Sequence, residues 1–200
     1  LPSVDFKNLR THILNQLKSL LPEYLSYHDL PHTIDVEKAV IRYANLEGIS
    51  KEDLILLRTA ALFHDAGFIL QYHKNEDIGI GMVRSALPKY GYTNNQIDKI
   101  VQIINATKLS VEPSSLLEQI MCDADHDYIG RPEYHIIAKK LREELALNKK
   151  VFTEREWIEF QLEFLENQHV YYTETANNIR SISKNKRIKE LKKQLKKLND

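Results

Sequence analysis

The sequence predicts an all-α protein. Apolar residues recur every three or four positions along most of the chain, the spacing that places them on one face of a helix. Residues that favour helix starts separate these stretches, including three Ser/Thr-x-x-Glu/Gln capping boxes that begin at Thr93, Ser115 and Thr153. No stretch alternates apolar and polar residues as a half-buried strand does. The six glycines and six prolines are also few for a fold rich in tight β-turns.

Each helix of the first half has its own signal. The apolar rows are Phe6-Leu9-Ile13-Leu17 in the first helix, Leu54-Leu57-Ala61 in the third, Ile80-Val83-Leu87 in the fourth and Ile97-Val101-Ile104 in the fifth. Pro31 suits the first turn of the second helix. Gly48, Gly67 and Gly91 follow the second, third and fourth helices, where a left-handed C-cap needs glycine. The predicted spans are about 4–21, 32–47, 51–65, 74–88 and 94–107.

The second half predicts four more helices. The capping box at Ser115 begins the sixth, Gly130 follows it as a further left-handed C-cap, and the box at Thr153 begins the eighth. The predicted spans are about 115–128, 132–148, 154–168 and 171–198. The sequence therefore predicts one bundle of about eight to nine helices.

Charge is balanced over the whole chain but not along it. The 28 basic and 28 acidic residues give zero net charge, which argues against a uniformly basic DNA-coating protein and against an acidic disordered one. Residues 184–197 nevertheless carry eight basic residues and one acid, with Ile188, Leu191 and Leu195 on one face. We expect a helical domain over 1–183 and a basic amphipathic helix over 184–200 that packs on it. Contact with a second copy in a homodimer, with nucleic acid or with an anionic membrane is the alternative use of this helix.

Cysteine usage and the early charges suggest a compartment. Cys122 is the single cysteine, so neither an internal disulfide nor a Cys-cluster zinc site is expected. Asp5, Lys7 and Arg10 interrupt any apolar signal core, and no apolar run approaches the roughly 18 residues of a membrane span. We therefore expect a cytoplasmic protein.

Histidines and acids on apolar rows are the candidates for chemistry. His64 continues the row of the third helix, Glu76 lies on that of the fourth, and Asp125 follows Met121 by one turn. Buried acids are costly unless a cation neutralises them, and imidazole with carboxylate suits Mn²⁺, Fe²⁺, Zn²⁺ or Ni²⁺. Spacing alone does not choose between Asp123 and Asp125, because both lie near an apolar row.

Four histidines and acids of the chain resemble a known signature in their order and in the residues around them. His32, His64-Asp65 and Asp125 resemble the ligand set of the HD superfamily of metal-dependent phosphohydrolases, with further likeness to a bacterial subgroup of predicted hydrolases. The segments that carry the resemblance are Tyr27-His28-Asp29-Leu30-Pro31-His32, similar to Tyr-His-Asn-x-x-His, Ala60-Ala61-Leu62-Phe63-His64-Asp65-Ala66-Gly67, similar to Ala-x-Leu-x-His-Asp-x-Gly, and Asp123-Ala124-Asp125, similar to Asp-Ala-Asp. The second Asp of the last element is the family's ligand.

The resemblance implies an HD-type helical bundle and a function. It implies one divalent metal ion (Mn, Fe, Ni, Mg or Zn) and hydrolysis of a phosphomonoester or phosphodiester by a metal-activated water. The expected partner is a small phosphate ester, with a nucleotide favoured. The implied metal ligands are His32, His64, Asp65 and Asp125; the candidate catalytic residues are Asp65 and Glu76; the candidate substrate contacts are His28, Lys108, Arg131 and His169.

Other interpretations stay open. Glu76 is alternatively a buried acid paired with arginine, His28 a structural residue and Lys108 a surface lysine. A non-hydrolytic iron-dependent oxygenase is one alternative function, weakened because His73 is the single histidine between Asp65 and Asp125. A nucleotide-binding regulatory module is another.

Overall fold

The computed structural model describes residues 4–198, and within them the regular structure is entirely helical. This confirms the predicted fold class. The α-helices are α1 Phe6–Leu20, α2 Leu30–Leu46, α3 Lys51–Phe63, α4 Asn75–Ala86, α5 Asn94–Asn105, α6 Leu116–Asp125, α7 Tyr134–Leu147, α8 Glu154–Glu163 and α9 Glu174–Lys197. Short 3₁₀ turns cover Ala66–Ile69, Leu87–Tyr90 and Asp127–Gly130, and a π turn covers Phe164–Gln168. No described helix has both the length and the apolar character needed to cross a membrane.

The larger core surrounds α3. This helix packs against α1, α2, α4, α5 and α6, and its second half, from Leu56 to Phe63, is almost completely buried. Leu57 and Val40 are fully buried there, as is Ile104. Each such side chain contributes about 1.5–3 kcal/mol through burial. The consequence for function is positional, because α3 ends in the middle of the molecule and presents His64 and Asp65 there.

A smaller core joins α7, α8 and α9. Trp157 and Ile158 of α8 are buried beside Tyr134 of α7. Leu191, on the apolar row of the basic helix, is 2% exposed in this cluster. The row thus faces the protein, and the neighbouring lysines face solvent.

The predicted helix ends are partly right. Capping boxes form at Thr93 and Thr153. Ser115 accepts a bond from the Glu118 backbone N–H, but the Glu118 carboxylate binds the N–H of Ser114 at 2.7 Å, so that box is one-sided.

Two of the four predicted glycine C-caps are confirmed and two are wrong. Gly48 and Gly91 have the expected positive φ, at 68° and 80°. Gly67 and Gly130 do not, so for them the prediction was wrong. Gly67 is required instead for close approach, because a Cβ on it would lie 1.8 Å from the carbonyl oxygen of Asn75. The first turn of α4 thereby rests directly on the turn that follows α3.

Candidate metal centre

Three helix ends converge on one point in the structure. His32 lies in the first turn of α2, where the Asp29 side chain accepts its backbone N–H at 2.8 Å. His64 and Asp65 directly follow α3, and Asp125 is the last residue of α6. The carboxyl ends of α3 and α6 carry partial negative charge, which favours a cation between them.

The imidazole and carboxylate groups of these residues lie close together. Nε2 of His32 is 3.4 Å from Asp65 Oδ2 and 3.2 Å from Asp125 Oδ1. Nε2 of His64 is 3.1 Å from Asp65 Oδ2 and 3.4 Å from Asp125 Oδ1. The two Nε2 atoms are themselves 3.4 Å apart.

These separations fit a single divalent ion. Two ligands about 2.1 Å from a metal stand about 3.4 Å apart in a tetrahedral site and about 3.0 Å apart in an octahedral one. His32, His64 and Asp125 form a group with all ligand atoms within 4.8 Å. Asp65 Oδ2 lies 3.4 Å from Nε2 of His32 and 3.1 Å from Nε2 of His64. The donor set of nitrogen and carboxylate oxygen therefore suits a borderline or hard divalent cation.

Neighbouring groups hold the donors in orientation. Nδ1 of His64 lies 2.8 Å from the carbonyl oxygen of Ala61, so it carries the proton and leaves the Nε2 lone pair free for a metal. Asn75 donates to Asp65 Oδ1 at 3.2 Å, which leaves Oδ2 facing the imidazoles. The ring of Tyr27 stacks on His32 with centroids 5.0 Å apart.

The electrostatics of the cluster call for a cation. Burial disfavours charge on His32, but the Asp125 and Asp65 carboxylates outweigh it and raise its pKa to about 9. The same carboxylates raise the pKa of His64 against burial. The pKa values of Asp65 and Asp125 are lowered against burial, chiefly by His64. Two carboxylates thus persist as anions in a buried place, and a divalent ion bound there would take the position that protons otherwise hold.

Asp123 has a different task from Asp125. Its side chain is fully buried and accepts the backbone N–H groups of Tyr172 at 2.7 Å and Thr173 at 2.8 Å, with the Thr173 hydroxyl at 2.7 Å. Burial outweighs these donors and raises the pKa of Asp123 to about 6. Asp123 therefore holds the start of α9, while Asp125 faces the imidazoles.

A cavity of about 530 Å³ opens beside the cluster. Asp65, Asp125, Asn75 and the predicted residues His28 and Glu76 line its polar end. Among the described residues the Glu76 side chain has no hydrogen-bond or ion-pair partner, so the arginine pairing considered for it does not form. The rest of the wall is mainly apolar and includes six aromatic side chains besides Tyr27: Phe68, Tyr128, Tyr134, Trp157, Phe160 and Phe164.

His28 is held by an acid from α7. Oε1 of Glu144 lies 2.5 Å from His28 Nδ1, and Oε2 accepts the backbone N–H groups of Tyr27 at 2.8 Å and His28 at 3.0 Å. Tyr72 donates to Oε1 at 3.2 Å. The His28 ring stacks on Phe68 with centroids 4.3 Å apart. This arrangement fixes the imidazole at the cavity wall.

The remaining predicted substrate contacts lie outside that cavity. Lys108 forms an ion pair with Asp77 at 2.6 Å. Lys108 and His169 line a small pocket next to the cavity. Arg131 holds Asp35 through two bonds of 2.9 and 2.6 Å and lines a groove of about 230 Å³ that His32 and Asp125 also line. The structure thus brings His28 and Glu76 together with the metal cluster in one cavity and leaves Lys108, Arg131 and His169 at its periphery.

Two residues of the site, Glu144 and Asn75, were not predicted from the sequence. Glu144 lies on the same helical row as Ile137 and Leu141, so the inward-acid signal that selected Glu76 also marks it. Asn75 carries no such signal, because an asparagine at a helix start is ordinary.

The fold is a helical bundle, and the cluster within it is a candidate metal site. Residues 30–128 match the family model described as HD domain, so the chain contains an HD domain. HD domains bind divalent metals, and His32, His64 and Asp125 lie near each other here as possible ligands.

Two solved structures share the fold. One, from an uncultured Thermotogales bacterium, is described as a predicted HD superfamily hydrolase; it is 19% identical, with a TM-score of 0.64 over 94% of this chain and 92% of that one. The other, Bacillus subtilis YpgQ in complex with ADP, is also 19% identical, with a TM-score of 0.63 over 94% of this chain and 96% of that one. No curated protein matches the sequence significantly.

Proposed function

We propose that this protein is a metal-dependent phosphohydrolase that cleaves a phosphomonoester or phosphodiester, with a nucleotide as the favoured substrate. The observation that carries the proposal is the four-residue cluster with neighbouring donor atoms 3.1–3.4 Å apart at the end of a 530 Å³ cavity. The aromatic wall of that cavity suits a nucleobase, and the ADP bound to Bacillus subtilis YpgQ supports the same class. Because the free thiol Cys122 suits a reducing compartment, we infer a cytoplasmic setting.

The proposed metal ligands are His32, His64, Asp65 and Asp125. When bound, a divalent ion lowers the pKa of a coordinated water toward neutrality and polarises a phosphoryl oxygen. Asn75 binds Oδ1 of Asp65, and Oδ2 of the same carboxylate lies 3.4 Å from Nε2 of His32 and 3.1 Å from Nε2 of His64.

Glu76 and His28 supply the proton chemistry in this proposal. Glu76 lines the cavity without a protein partner, so its carboxylate is available to orient the attacking water and accept its proton. His28, with Nδ1 engaged by Glu144, directs its other ring nitrogen to hydrogen-bond a phosphoryl oxygen.

Metal loading and hydrolysis are expected to fail together in an Asp65→Ala variant. The test strips the protein with a chelator, adds back Mn²⁺, Fe²⁺, Ni²⁺, Mg²⁺ or Zn²⁺ one at a time, and assays a panel of nucleotides and simple phosphate esters. Wild-type protein should bind one ion per chain and hydrolyse members of the panel. Asp65→Ala should lose at least 100-fold in kcat/KM.

Asp98→Asn is the matched control, since Asp98 is an exposed carboxylate that pairs with Arg84 away from the cavity. It should behave as wild type. Full hydrolysis by chelator-treated Asp65→Ala protein, or two iron ions per chain without hydrolysis, would exclude the proposal.

A further inference from the structure

A second, smaller pocket of about 40 Å³ adjoins the aromatic cavity. The two share Thr107, Leu109, His126, Phe164 and Gln168 in their walls, so His126 stands between them. Because His126 directly follows Asp125, the small pocket lies close behind the metal cluster. Its volume has room for about two or three water molecules, and so for one small polar group.

His169 is the unusual residue of this pocket. It is only 5% exposed, yet neither ring nitrogen has a hydrogen-bond partner. Its ring is held between His126, with centroids 5.3 Å apart, and Tyr171, with centroids 4.6 Å apart. Leaving a buried polar group without a partner costs about 1–3 kcal/mol. A phenylalanine would fill the same space without that cost, so the imidazole calls for a partner that enters the pocket.

The backbone that presents His169 is also irregular. The π turn Phe164–Gln168 ends directly before it, and the His169 N–H donates to the Phe164 carbonyl at 2.8 Å. Single π turns are rare and frequently mark functional sites. Phe164 and Gln168 of this turn line both pockets, and His169, the residue after the turn, lines the smaller one.

The chemistry of the pocket selects an uncharged group. A neutral imidazole offers one donor nitrogen and one acceptor nitrogen, and a hydroxyl group, which both donates and accepts, can pair with either of them. The ammonium of Lys108, which also lines the pocket, is engaged by Asp77, and Cys122 donates to the Ala106 carbonyl. We propose that this pocket is a substrate subsite that binds a sugar hydroxyl of the nucleotide, with His169 as the residue that recognises it. The inference rests on the proposed function for its choice of ligand.

Nucleoside binding tests the subsite without requiring hydrolysis. The probes are adenosine, guanosine and uridine, each compared with its 2′,3′-dideoxy counterpart by calorimetry. Wild-type protein should bind at least one hydroxyl-bearing nucleoside 10-fold or more tightly than its counterpart, because the dideoxy compound leaves the imidazole unpartnered. His169→Phe should bind both members of the pair equally, and His169→Gln should recover part of the preference.

His135→Phe is the matched control, since His135 is a partly exposed histidine that pairs with Glu190 and lines neither pocket. It should keep the wild-type preference. Equal binding of both nucleosides by wild-type protein, no binding of any of them, or an unchanged preference in folded His169→Phe protein would overturn the subsite. A protein that prefers the hydroxyl-bearing nucleoside yet hydrolyses no phosphate ester would instead overturn the proposed function alone.

Discussion

Asp123 and Asp125 are two residues apart on one helix and serve two different elements. Asp123 faces the start of α9, and Asp125 faces His32 and His64. The difference follows from helix geometry, since two residues subtend about 200° and point to nearly opposite sides.

Asparagine substitutions should separate the two roles. Asp123→Asn replaces one acceptor oxygen by an NH₂ group among three donors, so it should lower the free energy of unfolding by about 1–3 kcal/mol and leave metal content unchanged in folded protein. Asp125→Asn should abolish metal binding, because it removes a carboxylate that faces both imidazoles. Urea unfolding and elemental analysis of both variants give the comparison, and a stable, metal-free Asp123→Asn protein would contradict the assignment.

His169 should make stability sensitive to acid. Burial lowers its pKa to about 2, whereas an unfolded histidine titrates near 6.5. Below pH 6.5 the unfolded chain takes up a proton that the folded chain refuses, so the contribution of this residue to stability is lost as pH falls. Between pH 7.5 and 5.5 wild-type protein should lose about 1.4 kcal/mol more than His169→Phe. Urea unfolding of both metal-free proteins at the two pH values measures the difference, and parallel losses would contradict it.

At the residue scale the sequence located the histidines and acids but not all their partners. The side of the helix to which a residue points follows from spacing, so His64 and Glu76 were found on apolar rows. Asn75 and Glu144 act across contacts between distant parts of the chain, and single-chain spacing does not encode such contacts. The choice between Asp123 and Asp125 likewise came from the family resemblance and not from periodicity.

At the element scale, helix existence was easier to predict than helix ends. The sixth helix was expected to reach 128 and the eighth 168, but α6 ends at Asp125 and α8 at Glu163. A 3₁₀ turn and a π turn take up the remainder, and both keep nearly helical spacing of apolar residues. The hydrogen-bond pattern that distinguishes these turns is invisible in the sequence.

The contact between α4 and the turn after α3 forms part of the cavity wall. It predicts that alanine substitutions at Gly67 and at Gly81 have opposite effects on stability. A Cβ on Gly67 would meet Asn75 backbone atoms at 1.8–2.8 Å, so Gly67→Ala must displace the first turn of α4 with Asn75 and Glu76. We expect a destabilisation of about 2–4 kcal/mol and at least 10-fold weaker hydrolysis.

Gly81→Ala is the control. Gly81 lies in α4, and no atom lies within 4 Å of the Cβ that the substitution adds. It should stabilise the protein by up to about 1 kcal/mol through helix propensity. Thermal unfolding with an activity assay distinguishes the two variants, and equal effects would show that α4 does not depend on this close approach.

At the scale of the whole molecule, Asp127 joins three regions of the chain. Its carboxylate lies 2.6 Å from Arg42 of α2 and 2.8 Å from Arg180 of α9, with the Tyr43 hydroxyl at 2.5 Å. The side chain is almost fully buried, and the arginines outweigh burial and lower its pKa. The zero net charge of the sequence thus conceals internal pairing that fastens the last helix to the first half.

The basic last helix divides into residues that pack and residues that face water, and this division predicts opposite mutational outcomes. Leu191 is buried, Lys184 donates to the His169 carbonyl, and Arg187 donates to the Arg131 carbonyl. Leu191→Ala should therefore lower the free energy of unfolding, measured in urea, by about 2–5 kcal/mol.

The exposed lysines should behave differently. Lys186, Lys189, Lys193 and Lys196 stand on the solvent side, so changing all four to glutamine should alter stability by no more than about 0.5 kcal/mol per site and leave hydrolysis intact. Urea unfolding, hydrolysis and solution mass of the quadruple variant provide the test. Unfolding of that variant would mean that the lysines stabilise the fold, whereas a change in oligomeric mass with unchanged stability would assign this face to a second copy of the chain. The same protein tests the remaining expectation of nucleic-acid contact, since an affinity carried by four lysines falls, and its salt dependence flattens, when their charges are removed.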